Sequence, residues 1–407
     1  MITFKKCMAV AAMATLSLGL FAETKEPVSK TNAATAGIFS TDLDDFTNVN
    51  SWSNVNPKDF YLYFGMDNGL SELASSYDIG FAKYFKKIYW GTYFSGNLGT
   101  STKTKTTVGD TTTKTKTTGD SEWVFNNTIG IGNLGLALNL HFFDDGSTKS
   151  GEDYSKDTDF DITLKAGLKE FAIKKTTIVP YAAINYSIGD GTKVKTGDTI
   201  TNNRTSLFSV EAGATLPLKG SKTFEQTLSP SVKFYTEKEV EADHGTFGIQ
   251  LPVTYTGLVN ASDNFAFGFT ASLEPSLGFA KGDFSFGLTP SAAFGLTYAT
   301  KKNIDLNAGV EFALPSYSYS KTTVEGITTT TTKTSSWDGN DASLTFSSGF
   351  AIKVSKNFLI DCSYEALLSL FGDDTSSDLT TTGTTNFWNT VNSILVHNIG
   401  FDFSIKL

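Results

Sequence analysis

The residues that could do chemistry are few and scattered. Three histidines, His141, His244 and His397, stand apart from one another and from any metal-ligand spacing. Gly130, Gly132 and Gly135 match the spacing of a dinucleotide-binding glycine loop, which needs a strand before it and a helix after it. Here Leu134, Leu136, Leu138 and Leu140 continue with a period of two, so the next element is expected to be a strand and the glycines to serve turns and strand packing. Asp144–Asp145–Gly146 and Asp373–Asp374 are fragments of a calcium loop without its ligand pattern. Cys362 is expected to be a small lipid-facing residue rather than a nucleophile. No grouping of acid, histidine and nucleophile is visible, so the sequence predicts no enzyme, no metal site and no cofactor.

With no catalytic set to position, the order of the chain carries the argument. Met1 to Ala22 has the parts of a secretory signal: Lys5 and Lys6, an apolar run from Met8 to Phe21, and the small Ala22 before Glu23. Only Cys362 follows it, which excludes an internal disulfide. No later stretch approaches the roughly 20 apolar residues of a membrane helix. Charged residues make up 18% of the chain, below the roughly 25% usual for soluble domains, and there are 36 glycines. The net charge is −9, and −11 once Lys5 and Lys6 leave with the signal, which argues against nucleic acid as a partner.

The last residues give the repeating unit. Ile399, Phe401, Phe403, Ile405 and Leu407 alternate with Gly400, Asp402, Ser404 and Lys406, so one face of a strand is apolar and the other is not. The same pattern recurs in sixteen segments: 60–67, 77–85, 88–99, 122–131, 133–143, 159–170, 177–188, 205–217, 227–236, 246–257, 264–274, 284–299, 304–314, 342–354, 357–366 and 393–406. Tyr364 to Phe371 is the one patch with an ambiguous period. Short connections follow the even-numbered segments, as at Lys86–Lys87, Lys219 to Thr223 and Lys301–Lys302–Asn303. Most of the others are long and polar: 100–121, 144–158, 189–204, 315–341 and 367–392. This is how single-chain outer-membrane barrels are connected. The predicted fold is an all-β, antiparallel transmembrane β-barrel of about 16 strands, with 14 as the alternative count. Its predicted parts are a signal peptide (1–22), a periplasmic lead-in or plug (23–57) and the barrel (58–407).

The two faces differ in charge. Rows such as Phe160, Ile162 and Leu164, or Phe265, Phe267 and Phe269, are expected to meet lipid. The opposite face carries the pore-lining candidates Asp161, Lys165, Glu211, Lys233, Glu311, Lys353, Asp361 and Asp402. A lysine or arginine on the lipid side costs up to ~2–4 kcal/mol at mid-membrane, and these segments keep nearly all charges to one parity. A soluble sandwich offers the opposite assignment, with the apolar rows as its core. Trp52, Tyr61, Tyr63, Tyr89, Trp90, Trp123, Phe142, Phe143, Tyr298, Tyr317 and Tyr319 lie near segment ends and are expected in interfacial girdles. Phe401, Phe403, Ile405 and Leu407 form the lipid-facing terminal pattern read by a barrel-assembly machinery.

Residues 101–118 hold ten Thr and four Lys, and Thr-rich passages recur at 321–333 and 380–385. The β-branched threonines favour projecting hairpins, whereas the low apolar content favours disorder. Either way they are expected at the surface, where a host or other extracellular ligand could meet them.

Residues 36–46 (Ala-Gly-Ile-Phe-Ser-Thr-Asp-Leu-Asp-Asp-Phe), then Asn50–Ser51–Trp52 and Val55–Asn56–Pro57, resemble the start of spirochaete, especially treponemal-type, outer-membrane barrel proteins, and the likeness runs on through the Phe- and Gly-rich strands. The resemblance implies a surface-accessible barrel, porin-like or a substrate transporter, with no catalytic residues. Leu407 departs from the aromatic last residue of many bacterial barrels. The function expected first is passage of small hydrophilic solutes across an outer membrane, with both termini periplasmic and the long loops extracellular. A surface adhesin or structural barrel without an open pore is the second reading, and a transporter of hydrophobic molecules, disfavoured by the inward charges, is the third.

Overall fold

The computed structural model describes residues 48–50, 52, 58, 60–69, 75–97, 101–108, 111–118, 121–150, 153–173, 176–190, 192–196, 199–202, 204–221, 223–239, 245–262, 264–300, 303–324, 330–338, 343–355, 358–369 and 395–406. The signal, most of the 23–57 lead-in, the 380–385 threonines and Leu407 lie outside these.

Every named element is a strand. In chain order they are β1 (Phe60–Gly69), β2 (Ser75–Phe85), β3 (Ile88–Asn97), β4 (Ser101–Val108), β5 (Thr111–Thr118), β6 (Ser121–Ile131), β7 (Leu134–Ser150) and β8 (Asp153–Leu168). There follow β9 (Phe171–Ile173), β10 (Thr176–Asp190), β11 (Thr192–Thr196), β12 (Thr199–Asn202), β13 (Thr205–Pro217), β14 (Phe224–Glu239), β15 (Thr246–Gln250) and β16 (Val253–Ser262). The last are β17 (Phe265–Ala280), β18 (Asp283–Ala299), β19 (Ile304–Ala313), β20 (Ser316–Val324), β21 (Thr330–Asp338), β22 (Ser343–Ser355), β23 (Phe358–Ser369) and β24 (Leu395–Lys406). Each of the sixteen segments expected from periodicity falls on this series, and the ambiguous patch from Tyr364 is strand as far as Ser369.

All pairings are antiparallel. They run β1–β2–β3–β6–β7–β8–β10–β13–β14, then through β15 and β16 to β17–β18–β19–β22–β23–β24. β24 pairs back onto β1, from Tyr61↔Lys406 to Gly69↔Asn398. Alternation then sorts the side chains. Leu164 (54% exposed), Ile79, Ile184, Phe208, Phe247, Leu273, Phe294, Leu306 and Phe346 lie on one open face. Tyr63, Tyr89, Thr128, Ser209, Asn307, Ser347 and Asp361 are buried on the other. A soluble sandwich would bury the first set and expose the second. The structure does the reverse.

The long gaps are not irregular. β4 and β5 form one hairpin inside 100–121, β11 and β12 another inside 189–204, and β20 and β21 a third inside 315–341. β7 and β8 simply continue through the 144–158 region past a bulge between Asp144 and Ser147. The expected gap at 275–283 is closed in the same way. β17 and β18 extend to a two-residue turn, Lys281–Gly282, because alternation persists through Leu277, Phe279, Phe284 and Phe286. All of these extensions lie at the end opposite the short turns.

A line of prolines marks where wall becomes projection. β14 pairs with β16 up to Pro230 and with β15 from Lys233. Pro252 separates β15 from β16, Pro275 lies across from them on β17, and Pro290 opposes Leu273 on β18. β18 likewise pairs with β20 as far as Leu288 and with β19 from Ser291. Proline supplies no ladder N–H, so pairing changes partner where it sits. The acceptors are still used: Ser231 N–H donates to Pro252 O at 2.9 Å, and Leu251 N–H to Pro275 O at 2.9 Å.

Two turn glycines separate backbone strain from crowding. At Gly132 (φ 64°) a methyl group would meet open space, whereas at Gly282 (φ 80°) it would sit 2.8 Å from Thr323 O. Gly132→Ala is expected to cost about 1 kcal/mol and Gly282→Ala clearly more, read as urea unfolding midpoints of the lipid-reconstituted protein. Equal losses would refute the crowding at Thr323.

Candidate functional site

The polar face is where the sequence-predicted residues can be compared. On β8, β10, β13 and β14 the register runs Lys165↔Ala183↔Glu211↔Lys233, which brings three of the candidates into one row. Ala183 is small, and Tyr181, two positions along β10, reaches into the space. Its hydroxyl donates to Glu211 Oε1 at 2.5 Å. Lys165 Nζ stands 4.6 Å from the Tyr181 ring centroid, a cation–π contact worth about 0.5–2 kcal/mol. The ring lies over Gly213, where a Cβ would come within 2.8 Å of it.

The remaining candidates are spread around the wall. Asp161 joins a second group: His141 Nδ1 is 3.5 Å from Asp161 Oδ2, and His141 Nε2 is 2.8 Å from Glu122 Oε1. Ser187 Oγ donates to Asp159 Oδ1 at 3.0 Å nearby. Lys353 pairs with Asp305, 3.3 Å between Nζ and Oδ2. Asp361 is buried at 4% exposure and opposes Ala351 and Asp402 across its two neighbours. Glu311 is exposed, between Ala293 and Thr345. Asp402, Phe401, Phe403 and Ile405 are placed on β24 by register alone, since their side chains lie outside the described residues, as does all of Leu407. The face is thus polar and mixed in sign, with Lys165, Glu211, Asp161 and Lys353 held in local contacts and Glu311 exposed. Among the described residues no group of three His, Cys, Asp or Glu side chains is arranged to hold a metal ion.

The larger feature has no counterpart in the sequence pattern: a short piece of the lead-in lies against the inner wall. Gly130↔Gly135↔Gly167 are successive partners on β6, β7 and β8, so three adjacent strands lack a Cβ in one row. Val49 (0% exposed) and Trp52 (3%) fill that trough. A Cβ at Gly130 would strike the Trp52 indole, one at Gly135 the Val49 carbonyl, and one at Gly167 would come within 2.6 Å of Asn50 Nδ2. Asn50 ties the segment down. Its Nδ2 donates to Leu168 O (2.8 Å) and Pro180 O (2.9 Å), while its N–H donates to Asn48 Oδ1 (2.9 Å). Trp52 N–H donates to Asn48 O at 3.2 Å, closing the turn.

This seat corrects the girdle assignment for four aromatics. Trp52, Tyr61, Tyr63 and Tyr89 form a buried inner cluster with Ala82 instead of facing outward. Trp52 stacks on Tyr89 (5.6 Å between centroids), and the Tyr84 hydroxyl donates to Trp52 O at 3.4 Å. Parity carries the reason: Tyr61 and Tyr63 share the face of Ala82 and Gly80, and Phe64 has the outer one. Trp90, Phe142 and Tyr298 are exposed on the outer face, in keeping with their expected place. The glycine-loop lookalike resolves into Gly132 in a turn and Gly130 and Gly135 under Trp52 and Val49. The anchoring role of Asn50 gave no signal in the sequence, because its two acceptors are backbone carbonyls of distant strands.

No family model matches the chain, and no curated protein matches it. Among solved structures, CdiB from Escherichia coli is similar at TM-score 0.48 and 10% identity, covering 86% of this chain and 63% of that one. CdiB from Acinetobacter baumannii gives 0.45 and 10%, covering 86% and 60%. The CymD monoaromatic hydrocarbon channel gives 0.39 and 12%, covering 93% and 97%. The chain therefore spans about 60% of the length of the two CdiB chains. Identities this low transfer no substrate.

The seat makes a labelling prediction. With Cys362 replaced by Ala, a Val49→Cys thiol is expected to react slowly with a water-soluble maleimide. Adding Gly135→Val should expel the segment and speed the reaction, and Asn50→Ala, which removes two hydrogen bonds, should speed it roughly tenfold. Equal rates in all three would mean the trough is empty.

Proposed function

We propose that this protein is an outer-membrane channel for small hydrophilic solutes, built as a closed barrel of sixteen membrane-crossing strands. The count takes β15 and β16 as two halves of one strand and leaves the projecting hairpins outside the wall. One observation carries the reading: large apolar side chains occupy the open face, while ionised groups lie on the enclosed face. Only a solvent that is apolar outside and aqueous inside makes both placements favourable. Sixteen strands usually leave a bore wide enough for water.

In this proposal residues 1–22 are removed on export and 58–407 form the barrel. The 23–57 lead-in narrows the periplasmic mouth through the segment at 48–52. The short turns and both termini face the periplasm, and the hairpins face outward. Phe401, Phe403, Ile405 and Leu407 are the lipid-facing terminal strand presented to the assembly machinery. Asp161, Lys165, Glu211, Lys233, Glu311, Lys353, Asp361 and Asp402 line the passage and hydrate what crosses it. The likeness of residues 36–57 to spirochaete barrels supports the same setting. The reading assigns the protein no catalysis: among the described residues no group of three His, Cys, Asp or Glu side chains is arranged to hold a metal ion.

Two measurements test the proposal. Leu164→Lys is expected to cost about 2–4 kcal/mol of folding stability in lipid, and Thr163→Lys, one residue away on the inner face, much less. Equal costs would favour the soluble-sandwich assignment. The purified protein in planar bilayers should give discrete conductance steps that grow when residues 23–52 are deleted. An inserted protein without current, in both forms, would favour the closed surface adhesin or structural barrel instead.

A further inference from the structure

The projecting hairpins are more ordered in composition than their low complexity suggests, and only the register reveals it. Lys103↔Lys116 and Lys105↔Lys114 face each other across the β4–β5 hairpin. Lys116 in turn opposes Lys149 on β7, and Lys149 opposes Tyr154 on β8, which opposes Lys195 on β11. One step of two toward the wall, Ser147 opposes Lys156 and Lys156 opposes Lys193. Positions 103, 105, 114, 116, 149, 156, 193 and 195 therefore share one face of a sheet formed by β4, β5, β7, β8 and β11. The other positions that these registers and the β11–β12 pairing put on that face, beyond the bulge between Asp144 and Ser147, are Ser101, Thr107, Thr112, Thr118, Ser147, Tyr154, Ile200 and Asn202. None of these is acidic; the first acidic position on the face is Asp144, opposite Thr158 on the wall side of the bulge. The opposite face holds only Thr, Ser and Val, with Asp153 and Asp157.

This segregation is costly for an isolated sheet. Like charges directly opposite destabilise a strand pair, and threonine, abundant here, has the higher strand preference. The lysines nevertheless fall on one parity across β4, β5, β7, β8 and β11. Counting by twos along β8, positions 154 and 156 lie on the face of Phe160, Ile162 and exposed Leu164. The lysine face is thus the upward continuation of the barrel's outer surface. It extends over four strand spacings, about 19 Å. From Phe160 to position 154 is about 20 Å along the strand, or about 15 Å in height at the usual tilt, beyond the roughly 5–8 Å of a lipid head-group layer. An anionic polymer fits this position better than lipid head groups do.

We infer that this lysine face binds an extended acidic polysaccharide, carboxylated or sulfated, outside the cell. The polymer lies across the strands with its anionic groups along the row 103–116–149–195. Such binding is electrostatic, weakens with salt and is indifferent to whether the lumen conducts.

The test is binding of the full-length protein, in neutral-lipid nanodiscs, to dextran sulfate, with neutral dextran and phosphatidylglycerol vesicles as comparison probes. A variant that exchanges neighbouring residues, K103T/T104K/K105T/T106K/T113K/K114T/T115K/K116T, keeps composition and charge but moves four lysines to the other face. It is expected to bind dextran sulfate at least about tenfold more weakly than the native protein. K321T/K333T, which removes a lysine pair from the β20–β21 hairpin, should bind normally. Should the exchanged variant fail to insert, K149T/K156T/K193T/K195T gives the same reading without altering β4 or β5. Undiminished binding by the exchanged variant, equal loss in K321T/K333T, or capture of the vesicles without dextran sulfate would each overturn the inference.

Discussion

The interaction on which everything else depends is backbone pairing that returns to its starting strand. β24 meets β1 over nine residue pairs, so neither end of the sheet is left with a row of unpaired N–H and C=O groups. In hydrocarbon each such group would cost several kcal/mol, with no water to take its bonds. Once the ladder is fixed, the period of two decides every side chain's surroundings. Leu164 goes out and Lys165 goes in because they are neighbours.

That rule also disciplines the interior. An enclosed wall carries charge at low cost only where each ionised group meets water or a partner. The chain meets this with short-range contacts, an ion pair of Lys353 with Asp305 and a cation–π contact of Lys165 with the tyrosine that bonds Glu211. The glycine row then adds shape to charge. By removing three side chains from adjacent strands it admits Val49 and Trp52 without displacing the wall, and Asn50 takes two carbonyl acceptors that the ladder leaves accessible.

Much of this architecture was legible in the residues themselves. The strand centres were, because alternation is local and Phe265, Phe267 and Phe269 need no distant partner to declare a face. Boundaries were less so: β17 runs on to Ala280 because Pro275 looks like a terminator but sits where one strand changes partners. The hairpins were ambiguous because threonine favours both extended structure and solvation. The place of the inner tyrosines was not legible, since an aromatic near a strand end suits a lipid interface equally well, and only the parity of Tyr61 and Tyr63 against Phe64 separates the two. The seat of Val49 and the lysine face depend on register between strands far apart in sequence, and a single chain read in order contains no record of register.

The proline line has a consequence for how the projections are joined to the wall. Pro230, Pro252, Pro275 and Pro290 cross four neighbouring elements at nearly one level, each withholding a rung, and Pro315 follows just beyond Leu314, whose N–H reaches back to Pro290 O. Below that level β14 is laced to β16 and β18 to β19; above it they are laced to β15 and β20, while β17 and β18 stay paired without a break through both levels. On this side the outer rim therefore takes its neighbours from β15 and β20, and its pairing is set separately from that of the wall that carries it.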